Sequence, residues 1–428
     1  MIIGFIFLVL LLIPGLLIRR GTGTWMAPST LAVVFSFVYL IIPVVLVPDG
    51  EIDIFAAIYV YLCVLLFAGS ALLFPSSRYY KVASEHELRR AFGNGGLKIF
   101  FWLATFSLVG LIVADTVAQG FSVWQIMSNV SEVSRGYASM LYGGGLTATI
   151  FKPLYLILIY PVTAIGGLLS AMTRDSRRMY IVAALIPSFF ILLVQSVKGT
   201  FVVCVFIVIG SIFLIKSYRG REIRIGGREV LYLVGSGLGV FTFAVISFYL
   251  RGFIQGSDSF ERVLFYFRNY AAGHVYAFSD WFSNRYFSES LMSYDQPNLE
   301  LGFYTFMAAF RMLGDDRPVP FGLYTEYFNY NGLFETNLYT IFRGLLSDFG
   351  VMGSLAVVAV MGYIFNFCYY RVRMARVSCF LAPVYILSVV MLYQSYTVST
   401  LMWPTFVIGM VLLPVTLCIF RYFSLRAS

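Results

Sequence analysis

The chain has 428 residues, of which 60% are hydrophobic and only 12% are charged, and its mean hydropathy is +0.83. So little polar surface excludes a soluble globule, and with it the soluble classes of enzyme and binding module. The formal net charge of +9 is sorted along the chain in a way that reports membrane orientation and gives no argument for nucleic acid.

Apolar runs of about 15 to 25 residues recur, close to the roughly 20 that cross about 30 Å of hydrocarbon as a helix. Lipid offers no partner for backbone polar groups, and the runs lack the alternation of barrel strands. The predicted fold class is therefore all-α: one polytopic integral membrane domain over residues 1–428 with about 11 transmembrane helices. In order these are Ile2 to Ile18, Ala27 to Val47, Ile54 to Phe74, Leu97 to Ala118, Ile150 to Met172 and Met179 to Val197. Then follow Phe201 to Ile215, Val230 to Leu250, Thr340 to Tyr370, Phe380 to Tyr396 and Leu401 to Phe420. The first run has no basic stretch before it and is followed by Arg19 and Arg20, so it reads as a retained helix and not a cleaved signal. The five cysteines, Cys63, Cys204, Cys368, Cys379 and Cys418, fall in or beside apolar runs without a paired spacing and read as packing residues.

Alternate connections collect 20 of the 30 basic residues against five acids, from Arg19-Arg20 through the segment Lys216 to Arg228 to Arg426. Basic residues stay on the cytoplasmic side. This places the N-terminus outside, the C-terminus inside and the stretch Arg251 to Gly350 outside. No GxxxxGK[ST] loop occurs anywhere in the chain, and a substrate for the outer face has to arrive at the outer leaflet.

That outer stretch carries seven arginines, and 24 of the 90 residues from Arg251 to Thr340 are Phe, Tyr or Trp. Arginine keeps its charge and matches phosphate oxygens two at a time, so a converging set points to an anionic, pyrophosphate-like ligand. The same residues also suit pairing with acids or contact with lipid headgroups. Aromatic faces with polar tips suit sugars and equally suit the headgroup level of a membrane. Asp258 to Phe287 has apolar residues at helical spacing and reads as one amphipathic helix, Phe303 to Leu313 as a second, and Asp315 to Gly332 as irregular. His274 lies on the apolar face of the first. It is either a general base or a packed core histidine.

Glu335 to Gly350 reads ETNLYTIFRGLLSDFG and runs into the ninth span. Thr336 or Asn337 is placed to cap that helix. Arg343 and Asp348 then lie deep enough that they need a partner or a function.

The TNLYT of Thr336 to Thr340, with the DFG of Asp348 to Gly350 at the start of an apolar span, resembles the bacterial Wzy-type O-antigen (oligosaccharide repeat unit) polymerases. A weaker match is the turn Gln195 to Thr200, QSVKGT, where Lys198 stands in place of the family's arginine. The resemblance implies a GT-C-like glycosyltransferase bundle in the bacterial inner membrane, with residues 251–339 as a large periplasmic loop. It implies a metal-independent, cofactor-free transfer of a growing glycan from undecaprenyl pyrophosphate onto a sugar hydroxyl of a new lipid-linked unit. Candidate bases are Glu335, Asp348 and His274. Candidate pyrophosphate contacts are Arg343, Arg311, Arg268, Arg251, Lys198 and Arg135. Candidate glycan contacts are Asn337, Tyr339, Tyr324 and Trp281. Undecaprenyl-pyrophosphate-linked oligosaccharide, membrane lipid and a chain-length regulator are the expected partners. An O-antigen ligase and a lipid-linked oligosaccharide flippase stay open as alternatives.

Overall fold

Short polar caps and prolines decide where the helices begin. Asp53 accepts from the Ala56 N–H at 2.8 Å and starts Ile54–Gly69, and Asn94 accepts from the Leu97 N–H at 2.8 Å and starts Gly95–Ala118. Pro28, whose missing N–H would have no partner anyway, opens Pro28–Leu46. Ser122 and Gln125 form a reciprocal capping box on the short helix Val123–Ser128.

The computed structural model describes residues 2–74, 80–222, 259–294, 299–319 and 323–426. Among them, nine helices are long and apolar enough to cross a membrane. These correspond to nine of the predicted runs, and Phe380 to Tyr396 appears as the shorter apolar helix Leu381–Gln394. The predicted span Val230 to Leu250 and the candidate Arg251 lie outside the described residues. The protein is a multi-pass membrane chain, predominantly helical over the described residues. Its only strands among the described residues are Phe328–Tyr330 and Phe334–Thr336.

The chain groups into two compact units. The first comprises Met1–Tyr80, Leu264–Arg371 and Met391–Pro404. Lipid gives apolar surfaces little reason to associate, so close backbone approach and polar bonds do this work. A Cβ on Gly362 would lie 2.6 Å from the Phe67 carbonyl oxygen, so only glycine lets these two helices meet there. Beside it the buried Asn366 amide donates to Ser70 Oγ at 2.9 Å, and its oxygen accepts from the Ser29 N–H at 3.2 Å. Three spans are thereby tied at one point.

The second unit comprises Lys81–Val263, Val372–Val390 and Thr405–Ser428. Its centre is Phe151–Met172, most of which is buried. Gly166 and Gly167 admit Ala184 and Ser211 side chains at 2.6 and 2.7 Å from where a Cβ would stand. The buried carboxylate of Asp115 gathers the helix ends of this unit. It accepts from the Thr149 hydroxyl, from Tyr137 Oη and Gln195 Nε2 at 3.3 Å each, and from Tyr155 Oη at 3.5 Å.

Three local expectations change. The amphipathic segment expected as one helix from Asp258 to Phe287 is two, Ser259–Ala271 and Gly273–Phe287. The break falls at Ala272, whose φ of −121 departs from the helix, and beside it Gly273 lets Thr336 pack close, since a Cβ there would sit 2.6 Å from Thr336 Cγ2. Helix Thr340–Arg373 is not continuous: Gly350, at φ 63 and ψ −174, splits it. Thr340 to Asp348 is almost wholly buried, and lipid-type exposure begins only after the break. Finally, neither Thr336 nor Asn337 caps this helix. Thr336 is in a strand, its hydroxyl accepting from the Leu338 N–H at 3.2 Å. Thr340 Oγ1 accepts from the Phe342 N–H at 3.3 Å instead.

Candidate functional site

The site is built on a β-hairpin and the short buried helix that follows it. Asn331 and Gly332 both adopt positive φ, 48 and 72, which side-chain-bearing residues other than Asn and Asp adopt only rarely. The Asn329 side chain accepts from the Gly332 N–H at 2.9 Å, and pairing runs Phe328 to Thr336 and Tyr330 to Phe334. One face of the hairpin buries Phe328, Tyr330, Phe334 and Thr336, and the other exposes Asn329 and Glu335. Tyr276 stacks on Tyr330 and donates to the Val47 carbonyl at 2.9 Å, while Tyr330 donates to the Asp49 carbonyl at 3.1 Å. The hairpin is thus pinned to the turn between two spans.

Arg343 lies nine residues past the hairpin register of Phe334 and is only 3% exposed. Its guanidinium carbon lies 3.9 Å from the Tyr324 ring centre and 4.2 Å from that of Tyr339, with Trp281 at 5.3 Å and Tyr294 at 5.7 Å. Nη2 pairs with Glu326 Oε1 at 2.9 Å, and buried Nη1 has no hydrogen-bond partner among the described residues. Tyr339 Oη donates to the Glu326 carbonyl at 3.2 Å. The rings offer their negative faces to a charge that is largely out of water, where such contacts are worth about 2 kcal/mol. An outside anion reaches this guanidinium only by displacing a ring. Tyr324, Tyr339 and Trp281, expected as sugar contacts, are at most 5% exposed and are committed to this box. Tyr294 extends it, donating to Asp280 at 2.7 Å. Burial pushes the Asp280 carboxyl above its usual range, against the opposing bonds from the Leu291 N–H and Tyr294.

The three candidate bases stand in different places. Asp348 is fully buried and caps the helix Phe303–Met312, accepting from the Tyr304 N–H at 3.0 Å and from the Thr305 N–H and hydroxyl at 2.6 Å each. Such a carboxylate satisfies the free N–H groups and positive end of that helix. His274 is 2% exposed, and its Nε2 lies 3.2 Å from the Tyr39 carbonyl oxygen. Burial pulls its pKa down to about 4, against that backbone hydrogen bond. Glu335 is exposed, with its backbone held by the Asn269 side chain at 3.0 Å.

The basic candidates are also divided. Arg268, adjacent to Asn269, is half-buried, with an Nε that is buried and has no hydrogen-bond partner among the described residues. Arg311 donates to the carbonyls of Asp315, at 2.9 Å, and Arg317. Arg317 itself pairs with Glu300 and Asp315 at 2.7 Å and lies 3.8 Å over Phe303. Bonds from Arg317 hold the half-buried Asp315 carboxyl below its usual range. Asn337 is half-buried just beyond the hairpin. Lys198, at the start of Lys198–Tyr218, and exposed Arg135, on Val130–Gly143, belong to the second unit.

Glu326, Tyr294 and Asp280 were not among the expected residues. Glu326 sits in a stretch without periodicity, where nothing in the sequence selects it as the partner of Arg343. Tyr327, 51% exposed beside the hairpin, offers the open aromatic face that Tyr324 and Tyr339 do not.

No family model, curated protein or solved structure matches this chain.

Arg343→Ala removes the ion pair with Glu326 and empties the space between the Tyr324 and Tyr339 rings, and is expected to cost about 3–5 kcal/mol, the usual result of breaking an enclosed pair. Arg343→Lys recovers less than half of this, because a compact ammonium cannot lie flat between two rings. Thermal denaturation of the purified chain in one detergent ranks the three proteins.

His274 gives a pH signature. The unfolded imidazole binds a proton near its ordinary value of about 6.5, whereas the folded one waits until about 4. The unfolded chain therefore binds more protons in this window, and stability falls as pH drops from about 6.5 to about 4 and levels off below it. The titratable groups facing His274 are the phenols of Tyr39 and Tyr396. Denaturation midpoints measured across this window fall more steeply for the wild-type chain than for His274→Asn.

Proposed function

We propose that this protein is a membrane glycosyltransferase that polymerises undecaprenyl-pyrophosphate-linked oligosaccharide repeat units at the periplasmic leaflet of the bacterial inner membrane. The orientation rests on the sorting of basic residues, which puts the hairpin outside and the C-terminus inside. The family reading rests on the TNLYT and DFG segments. The observation that carries the chemistry is Glu335: it is an exposed carboxylate on a pinned hairpin, bonded through its backbone to Asn269, the neighbour of Arg268.

In this reading the hydroxyl oxygen of the incoming unit attacks the anomeric carbon of the lipid-linked glycan. The new glycosidic bond forms as the carbon–oxygen bond to pyrophosphate breaks, and the electron pair leaves on undecaprenyl pyrophosphate. Glu335 takes the hydroxyl proton. Arg268, half-buried beside Asn269, meets with its guanidinium the charge that develops on the leaving pyrophosphate. Asn337 and Tyr327 line the hairpin side where the acceptor sugar would lie. Arg343 acts as a positioning residue, holding the segment that carries Glu335 through Tyr339 and Glu326. Asp348 likewise fixes the helix break.

The test is extension of purified lipid-linked repeat units by the reconstituted full-length chain. Glu335→Gln is expected to slow extension by about 10²- to 10⁴-fold, the usual worth of a general base. Arg268→Ala is expected to slow it by about 10²-fold or more. Both should leave the denaturation midpoint within a degree or two of wild type, since neither side chain is buried in a network. Near wild-type extension by Glu335→Gln removes Glu335 from the mechanism. Transfer of the glycan to a lipid A-type acceptor without extension identifies a ligase, and movement of intact units between leaflets without transfer identifies a flippase.

A further inference from the structure

His274 borders a cavity of about 90 Å³ inside the first unit. Three spans supply most of its wall, through Phe7 and Leu11, Leu40, and Val60 and Val64. Apart from the His274 imidazole, no lining residue is acidic or basic.

On this wall the imidazole holds the buried side-chain polar atom that lacks a hydrogen-bond partner among the described residues. Nε2 faces the Tyr39 carbonyl, which only accepts, so Nε2 carries the proton of the neutral ring and Nδ1 presents a lone pair. Nδ1 is buried and has no hydrogen-bond partner among the described residues. Two hydroxyls on the same wall have spent their protons elsewhere: Ser395 donates to the Leu392 carbonyl at 2.8 Å, and Tyr39 donates to that of Tyr393. An acceptor left so in an apolar setting is costly, and a ligand that brings a neutral donor recovers that cost.

We infer that this cavity is a binding site for a neutral lipid alcohol, whose hydroxyl donates to His274 Nδ1 while its first carbons lie against the apolar wall. The volume is below the roughly 150 Å³ of an apolar cavity that accepts benzene, so the cavity takes only the head end of a chain. Leu40, Val60 and Tyr61 are half-buried and bring the wall to the outer surface of the spans, where the remaining carbons would lie in lipid. A phosphate or carboxylate head does not fit, because the lining holds no cation and the Nδ1 lone pair opposes an anion. The inference is independent of the polymerase reading, whose lipid carries a pyrophosphate.

The test uses the full-length chain in phosphatidylcholine vesicles and hexadecanol carrying a diazirine near its hydroxyl end. Photolabelling is expected on the segments containing Phe7 to Leu11, Ser36 to Leu40 and Ala56 to Val64. Unlabelled hexadecanol should displace the probe, and hexadecyl methyl ether, which lacks the donor, should do so at least tenfold less well. His274→Phe, which keeps a ring and removes the acceptor, should reduce labelling at least tenfold, and Ala57→Trp should block it. Equal displacement by the ether means that water satisfies the imidazole and overturns the inference. Best displacement by hexadecyl phosphate, or labelling spread evenly over all spans, overturns it too. The ether comparison is made on the wild-type chain and stands even if His274→Phe does not fold.

Discussion

A guanidinium enclosed by protein at the head of a membrane helix has to be neutralised and surrounded on the spot, and the loop architecture follows from that requirement. Arg343 is partnered by one carboxylate, Glu326, and four rings. Those five side chains come from three separate stretches of sequence. Trp281 comes from the helix Gly273–Phe287 and Tyr294 from the loop after it, whereas Tyr324, Glu326 and Tyr339 flank the hairpin, and the shared charge brings them together. The hairpin between Tyr324 and Tyr339 is held at both ends by the same guanidinium. Its exposed face therefore presents Glu335 from a fixed platform, although the surrounding loop contains little regular structure.

The break at Gly350 has a related consequence. A continuous helix from Thr340 would carry Arg343 and Asp348 along a lipid-exposed span, where charged groups are costly. The positive φ of Gly350 separates a short enclosed helix from the long apolar one that follows. Asp348, just before the break, turns its carboxylate to the first N–H groups of Phe303–Met312. One residue thus ends an enclosed segment and begins another helix. Asp115 plays the comparable part in the second unit, drawing four donors onto a carboxylate near a helix end. In both cases a buried acid organises the polar ends of helices.

Much of this was legible in the sequence, and the unread parts share a cause. Apolar run length locates the spans because bilayer thickness imposes it locally. The depth of Arg343 and Asp348 in an apolar segment signalled that each needed partners. The hairpin was legible in principle, since FNYNGLFET alternates aromatic and polar residues around Asn-Gly, although a prolonged irregular loop was expected there. The close approach of Thr336 at Gly273 was not legible, because the two residues are more than sixty positions apart in the chain. Glu326 and the Thr305 partner of Asp348 were hidden for the same reason. Periodicity reports which face a residue shares, and says nothing of which distant loop comes to meet it. His274 shows the converse: its apolar helical face was plain, and burial decides that the ring is neutral and packed.

The proposed role in chain extension of lipid-linked repeats is tested by electrophoresis of the surface glycan from the native host lacking this gene. In that host the polymer ladder is expected to disappear while single repeat units stay attached to their acceptor, and the wild-type chain is expected to restore the ladder whereas Glu335→Gln is not. A full ladder in the deleted host contradicts it, as does loss of every attached unit, which would assign this protein to attachment or transport instead.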